Sequence, residues 1–341
     1  MKDKKANIKD VAKHAGVSIT TVSMVLGGKG RISPVTIAKV NASVKKLGYI
    51  KNRTASNLRS KKSELIGLIL RDISDPYSSE VTAGLIESLE KKGYMLFLAQ
   101  SGSSQAKFDQ CIDTMISQGV SGIAFCPIRD VGITNVDRIK NLEVPAVCIG
   151  RAKVGQDIDF VGPDNMQAAR IATEYLIQNG HRQIAYVGGS SDSLSRAERL
   201  GGYYSTLIQY GLPYRHEWVV ECDKSQISAS EAISELISQH PKITAVLCHY
   251  SSTAFGAIHG VAHSNRSVGK DNYIGQQIAI IGFDDVPETE LTQPSLTFVS
   301  SPARDIGRQA GFRLINLIDN GNDNVPQSLI LTPELIPRDS A

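Results

Sequence analysis

Twelve lysines and three arginines fall in the first 62 residues against only Asp3 and Asp10, which leaves that stretch at +13. The rest of the chain carries 22 basic and 32 acidic side chains, so the formal +3 of the whole hides a basic head on an acidic body. A head of that charge is suited to non-covalent contact with a polyanion. Within it, Ser18, Thr20, Thr21 and Ser23 stand beside Ile19 and Met24 in one short run. Hydroxyls can donate to phosphate oxygens or base edges, and a small apolar group can touch a thymine methyl. The ordinary alternative for each hydroxyl is helix capping or solvent.

Bond-making chemistry finds no assembled group. No Gly-x-Gly-x-x-Gly follows a strand, and there is no phosphate-loop lysine signature. His14, His181, His216, His240, His249, His259 and His263 are dispersed, and His14 and His249 show no evident partner. The five cysteines are odd in number; Cys126, Cys148 and Cys248 sit in apolar runs and read as buried thiols in a reducing compartment. No catalytic residue, metal site or cofactor is therefore expected.

The elements that must position the hydroxyl run are short helices. Ile8, Val11, Ala12 and Ala15 recur at helical spacing, and Gly16-Val17 makes a tight turn. Ser18 is a good N-cap for a second helix that turns Val22, Val25 and Leu26 inward and Ile19, Thr20, Ser23 and Met24 outward. Two short helices joined by a glycine turn form a helix-turn-helix, whose second helix enters the major groove by its N-terminal part. Ser33 and Pro34 start a third helix that ends at Leu47, with Val40, Val44 and Leu47 inward. Lys29, Arg31 and Asn41 are further phosphate candidates.

The string Ile-Lys-Asp-Val-Ala-x-x-Ala-Gly-Val-Ser-x-x-Thr-Val-Ser, from Ile8 to Ser23, resembles the head of the LacI/GalR family of bacterial repressors. The resemblance implies that Ile19, Thr20 and Met24 read bases and that Ser18, Thr21 and Ser23 meet phosphates. Many relatives carry Arg or His where this chain has Met24, so the base read there should differ. The resemblance also implies a hinge after Tyr49, marked by Ala55 and Leu58, with Asn52 and Arg53 against the backbone or minor groove. A pair of such leucines in a dimer wedges into the minor groove; the alternative for Leu58 is packing on the body. Lys51 replaces a proline common in relatives, which leaves the hinge start less defined.

Beyond the hinge, apolar runs alternate with helical patterns: Leu65–Leu70, a helix from Ser79 to Lys92, Tyr94–Ala99, a helix from Phe108, Gly122–Cys126 and Ala146–Ile149. A second series runs through Asn165–Gly180, Gln183–Val187, Glu198–Gly211, Ser228–Gln239, Ala245–Cys248, Ile278–Ile281 and Ser301–Asn320. Repeated strand-helix units predict parallel sheets covered by helices, in two lobes. The expected fold is α/β with an N-terminal all-α head, and the resemblance implies a two-lobed body like periplasmic binding proteins. The expected division is 1–50 head, 51–64 hinge and linker, and 65–341 body, with lobes 65–163 and 164–341 and crossovers near 290–303.

Asp72-Ile-Ser-Asp-Pro-Tyr77, Gly180 to Gly189, Arg199-Leu-Gly-Gly-Tyr203, Gly282-Phe-Asp-Asp285 and Leu335-Ile-Pro-Arg338 extend the resemblance through the body. It implies an effector cleft with Asp72, Tyr77, Ser101, Ser193, Ser195, Arg199 and Asp284, and with Tyr250 and Lys224 as weaker candidates. For Arg199 the alternative is an interdomain salt bridge, and for Asp284 a turn cap. Lys224 after Asp223 and the run His249-Tyr250-Ser251 depart from the family pattern, so the ligand does not transfer.

Gly27 to Ser33, Pro163 to Gln167, Ser195 to Tyr203 and the polar insert from His263 to Gln277 resemble a branch that governs maltose-related genes. That likeness implies a repressor of sugar uptake or metabolism, working as a homodimer on a pseudo-palindromic double-stranded operator, with a sugar or sugar phosphate as effector. The basic start lacks an apolar stretch behind it, and no apolar run reaches the roughly 18 residues of a bilayer span. A cytoplasmic, nucleoid-associated protein without a membrane partner is expected. No heptad pattern follows Arg338, so a tetramer of the tailed kind is not. The rival readings are an enzyme, which turnover of candidate sugars would reveal, and a soluble sugar-binding protein without a regulatory role.

Overall fold

The computed structural model describes residues 6–27, 30–50, 63–128, 138–150, 158–271, 276–321 and 325–341. They fall into two units, Met1–Ser63 and Glu64–Ala341.

The first unit holds α1 (Ile8–Ala15), α2 (Ile19–Leu26) and α3 (Pro34–Leu47). Asn7 caps α1 in a capping box with Asp10, so two otherwise unpaired backbone donors are satisfied at once. The turn into α2 needs Gly16, whose φ of 66° is left-handed and strained for residues with a side chain. Ser18 and Ser33 accept from Thr21 N and Thr36 N at the starts of α2 and α3. Val11, Ala12, Val22 and Val40 form the core where the three helices meet. His14, which the sequence leaves without a partner, hydrogen-bonds through Nδ1 to Ser43 Oγ at 2.9 Å and ties α1 to α3.

The second unit contains two sheets. The first lobe is built from β1 (Leu65–Leu70), α4 (Pro76–Glu90), β2 (Met95–Gln100), α5 (Gln105–Ser117), β3 (Gly122–Phe125), β4 (Ala146–Ile149) and β5 (Asp159–Pro163). The second holds α6 (Asn165–Gln178), β6 (Ile184–Val187), α7 (Leu194–Gln209), β7 (Val219–Val220), α8 (Gln226–Gln239), β8 (Ala245–Cys248), α9 (Ser251–His263), β9 (Ser267–Val268), β10 (Gln277–Phe283) and β11 (Thr297–Ser300). The chain then returns: α10 (Ala303–Asn320) and β12 (Ser328–Leu331) belong to the first lobe, and β13 (Glu334–Ile336) closes the second. The chain crosses back to the first lobe after β11, within the span expected for a crossover, and α10 packs on α4 while β12 extends the first sheet beside β5.

The first sheet has the order β12-β5-β4-β3-β1-β2 and is parallel throughout. The second runs β13-β11-β10-β8-β6-β7, parallel except for β13. Strands such as β1, β3, β6 and β8 are almost wholly buried, as parallel strands covered on both faces must be. Helices α4 and α10 lie close enough that a Cβ on Gly84 would strike the Arg304 carbonyl and one on Gly307 the Val81 carbonyl.

Several helix starts fall earlier than the apolar periodicity predicts. Helix α4 begins at Pro76 and not Ser79, because Asp75 caps it, and α7 begins at Leu194 and not Glu198, because Ser193 does. Helix α9 and strands β5, β7, β9, β11, β12 and β13 have no counterpart in the predicted series.

Candidate DNA-reading face and effector cleft

Helix α2 is held by Val22, which is fully buried, while Ile19 and Met24 remain 45% and 37% exposed. Thr20 and Ser23 are exposed as well, and none of the four belongs to the buried core of the head. Ser18 and Thr21 are already engaged: their hydroxyls share a 2.8 Å hydrogen bond at the helix start. For these two the capping alternative is realised, although Ser18 stays at the surface. Arg31 and Asn41 are exposed. Lys29, Asn52, Arg53, Ala55 and Leu58 lie outside the described residues.

In the body, each sheet changes winding direction once. In the first sheet the reversal lies between β1 and β3, and in the second between β6 and β8. Ligands of open α/β sheets bind beyond the carboxyl ends of the strands at such points. A chamber of about 430 Å³ sits there, between Asp72 after β1, Pro127 after β3, Ser193 after β6 and Tyr250 after β8. It adjoins a larger one of about 1230 Å³, and Asp72, Asp75, Tyr77, Lys224 and Tyr250 line both. Those volumes are ample for a small ligand.

Asp72 presents a carboxylate held by Ser74, whose hydroxyl and backbone N–H donate to Oδ1 at 2.7 and 2.9 Å. Those bonds keep its pKa below the usual carboxylate value. Tyr77 is buried against the chamber wall with its hydroxyl 3.5 Å from the Gly150 carbonyl. Ser193 and Ser195 bond to each other through their hydroxyls at 3.0 Å and line the smaller chamber. Asp284 lines the larger one; at φ 67° it sits in a left-handed turn and accepts from Ser301 Oγ at 2.8 Å.

Two expected residues stand elsewhere. Ser101 lines neither chamber: it is wholly buried and its hydroxyl donates to the Leu70 carbonyl. Arg199 is 1% exposed beneath the chambers. Its guanidinium donates to Asn165 Oδ1 at 3.0 Å, His249 O at 2.7 Å and Asp284 Oδ1 at 3.3 Å, and stacks 4.4 Å from the Phe283 ring centre. All these partners belong to the second lobe, so these contacts tie one lobe together and are not the interdomain salt bridge. His249 also has a hydrogen-bond partner, the Tyr186 hydroxyl, at 2.6 Å.

Asp75 was not among the expected residues. One carboxylate oxygen accepts from Tyr77 N as the α4 cap, and the other lies 2.8 Å from Lys224 Nζ in the opposite lobe. Lys224 Nζ also stands 4.9 Å from the Tyr250 ring centre. The Asp75-Pro76 pair is a helix-start signal that could have placed Asp75 on this wall.

Residues 7–52 match the family described as bacterial regulatory proteins, lacI family. Residues 63–338 match periplasmic binding proteins and sugar binding domain of LacI family. The maltose regulon regulatory protein MalI of Escherichia coli (strain K12) is 42% identical over 336 residues, covering 98% of each chain. MalI of Vibrio furnissii is 68% identical over 137 residues, which is 40% of this chain and 100% of that sequence. Among solved structures, the lac repressor dimer bound to operator and the anti-inducer ONPF superposes with a TM-score of 0.86 at 26% identity, covering 99% of each chain. The helix-turn-helix head and the two-lobed body thus match together over nearly the whole length. The chain belongs to the LacI family and is a DNA-binding transcription regulator, not an enzyme.

Proposed function

We propose that this protein is a cytoplasmic repressor of genes for sugar uptake or metabolism, maltose-related by its likeness to MalI, and that it works as a homodimer on a pseudo-palindromic operator. The observation that carries the reading is the outward face of α2, where Ile19, Thr20, Ser23 and Met24 are exposed on a head that is strongly basic. Each head reads one half-site, and two-fold symmetry of the dimer matches that of the operator. Arg31, Asn41 and Lys29, with Ser18 and Thr21 at the α2 start, hold the phosphates; Asn52, Arg53, Ala55 and Leu58 form the hinge at the minor groove. The division is head 1–50, hinge and linker 51–64 and body 65–341.

A small saccharide effector binds among Asp72, Tyr77, Ser193, Ser195, Tyr250 and Asp284, and no cofactor is needed. Effector and operator change one another's affinity by the same factor. The test is operator binding titrated with a panel of sugars and sugar phosphates at fixed salt. A sugar that shifts the operator Kd supports the reading. Sequence-independent DNA binding that no sugar alters would refute it.

A further inference from the structure

We infer that the cleft takes an uncharged polyhydroxyl ligand and rejects phosphorylated or carboxylated ones, with Asp75 as the residue that sets this preference. The inference rests on the effector cleft proposed above and narrows its ligand class. Among the described residues, eight carboxylates line the two chambers, against three cations: Arg71, Lys224 and Arg304. Six of those carboxylates, Asp75, Glu80, Asp284, Asp285, Glu290 and Asp305, are themselves ion-paired, so the lining has no surplus of positive charge to offer a phosphate monoester, which brings close to two negative charges.

The cations that could offset this are largely spoken for. Arg304 is paired with Glu80 at 3.2 Å and also with Glu87, on the outer side of α4. Lys224 stands at the junction of the chambers, where an anionic ligand would have to be met, but Asp75 holds its ammonium at 2.8 Å. Arg71 lines the smaller chamber only and is exposed, as Lys224 is, so water screens both charges in part and the pairing with Asp75 is what sets Lys224 apart. Arg199, Arg308 and Arg338 lie outside both linings and are tied to Asp284, Asp305 and Asp285 respectively.

What remains suits hydroxyl groups. Asp72 and Asp284 are acceptors for them, Gln100, Ser193 and Ser251 can both donate and accept, and Tyr77 and Tyr250 offer ring surface to an apolar sugar face. Asp75 acts on the ligand through Lys224 and is a positioning residue in that sense. Its other oxygen caps α4, and Asn serves that cap as well as Asp does. Asp75→Asn therefore releases the Lys224 ammonium into the cleft without unmaking the helix start.

The experiment titrates the full-length protein with glucose 6-phosphate at constant ionic strength and reads thermal stabilisation. It compares the wild type, Asp75→Asn and Lys224→Met. The basic head also attracts anions, so the Lys224→Met chain supplies the baseline. The expected result is that the ester stabilises the wild type no more than it does Lys224→Met, while Asp75→Asn binds it at least tenfold more tightly than the wild type. Wild-type stabilisation that Lys224→Met abolishes overturns the inference, and so does an Asp75→Asn chain that gains nothing. The operator titration reads effector action separately: a regulator released by a phosphate ester keeps the function proposed above and loses this one, whereas one that no sugar alters loses the former.

Discussion

Replacing Arg199 with Met should destabilise the second lobe severely, and the size of the effect follows from what the guanidinium touches. It is 1% exposed, and its loss takes the guanidinium at 3.3 Å away from the Asp284 carboxylate, itself 9% exposed. The His249 carbonyl and Asn165 Oδ1 also lose their 2.7 and 3.0 Å donor. Removing one partner of a buried ion pair costs about 3–5 kcal/mol, because the other charge stays uncompensated. Asp284→Asn should cost less, about 1.5–3 kcal/mol, since Asn tolerates the φ of 67° and still accepts a hydrogen bond. The double variant should fall short of the sum of the two by more than about 1 kcal/mol, the mark of a direct pair. Trp218 is the single tryptophan and lies in the core of the second lobe, so its fluorescence follows urea unfolding of that lobe. An Arg199→Met protein that unfolds at the wild-type midpoint but no longer responds to effector would refute this reasoning and return Arg199 to the ligand.

Met24→Arg should change the preferred operator base at one position per half-site, because Arg adds a bidentate guanine contact worth about 1–3 kcal/mol; selection from a random operator library that returns the wild-type site would remove Met24 from the reading face. Gly84→Ala should destabilise the first lobe by about 1–3 kcal/mol through overpacking against the Arg304 carbonyl; an unchanged Tm would mean that α4 and α10 can separate freely. His181 is buried beside Thr244, and burial, with Arg182 adding to it, pulls its pKa down to about 4. The unfolded chain therefore takes up this proton first as pH falls, and the stability present above about pH 6.5 is lost towards pH 4, on the order of 3 kcal/mol. His181→Asn should flatten the acid limb of midpoint against pH in that window, and an unaltered slope would show that other groups set it.

Local signals were enough for the head. Its helices are short, each is bounded by a cap or glycine, and its core forms from neighbours within some 40 residues, so the spacing of Val11, Val22 and Val40 already contains the packing. The alternation of apolar runs and helical patterns likewise revealed parallel sheets in two lobes. Boundaries suffered where polar caps, Asp75 and Ser193, start helices ahead of the apolar stripe. Strands β12 and β13 were hidden because each is short and partly exposed at a sheet margin, with apolar runs of only three and two residues, Leu329–Leu331 and Leu335–Ile336. The cleft shows the same division. The family resemblance placed Asp72 on it, with Tyr250 as a weaker candidate, and both follow strand ends at the switch points. Whether Arg199 points to the ligand or to the protein could not be read from its neighbours in sequence. Its partners come from 165, 249 and 284, and only the closing of the second sheet brings them around one guanidinium. Asp75 and Lys224 are 149 residues apart, and their contact exists because the two lobes face each other across the cleft. What the sequence determined by itself was the identity of local elements and the charge of the head; tertiary structure decided which charges the cleft offers a ligand, because pairing among distant side chains sets which remain available.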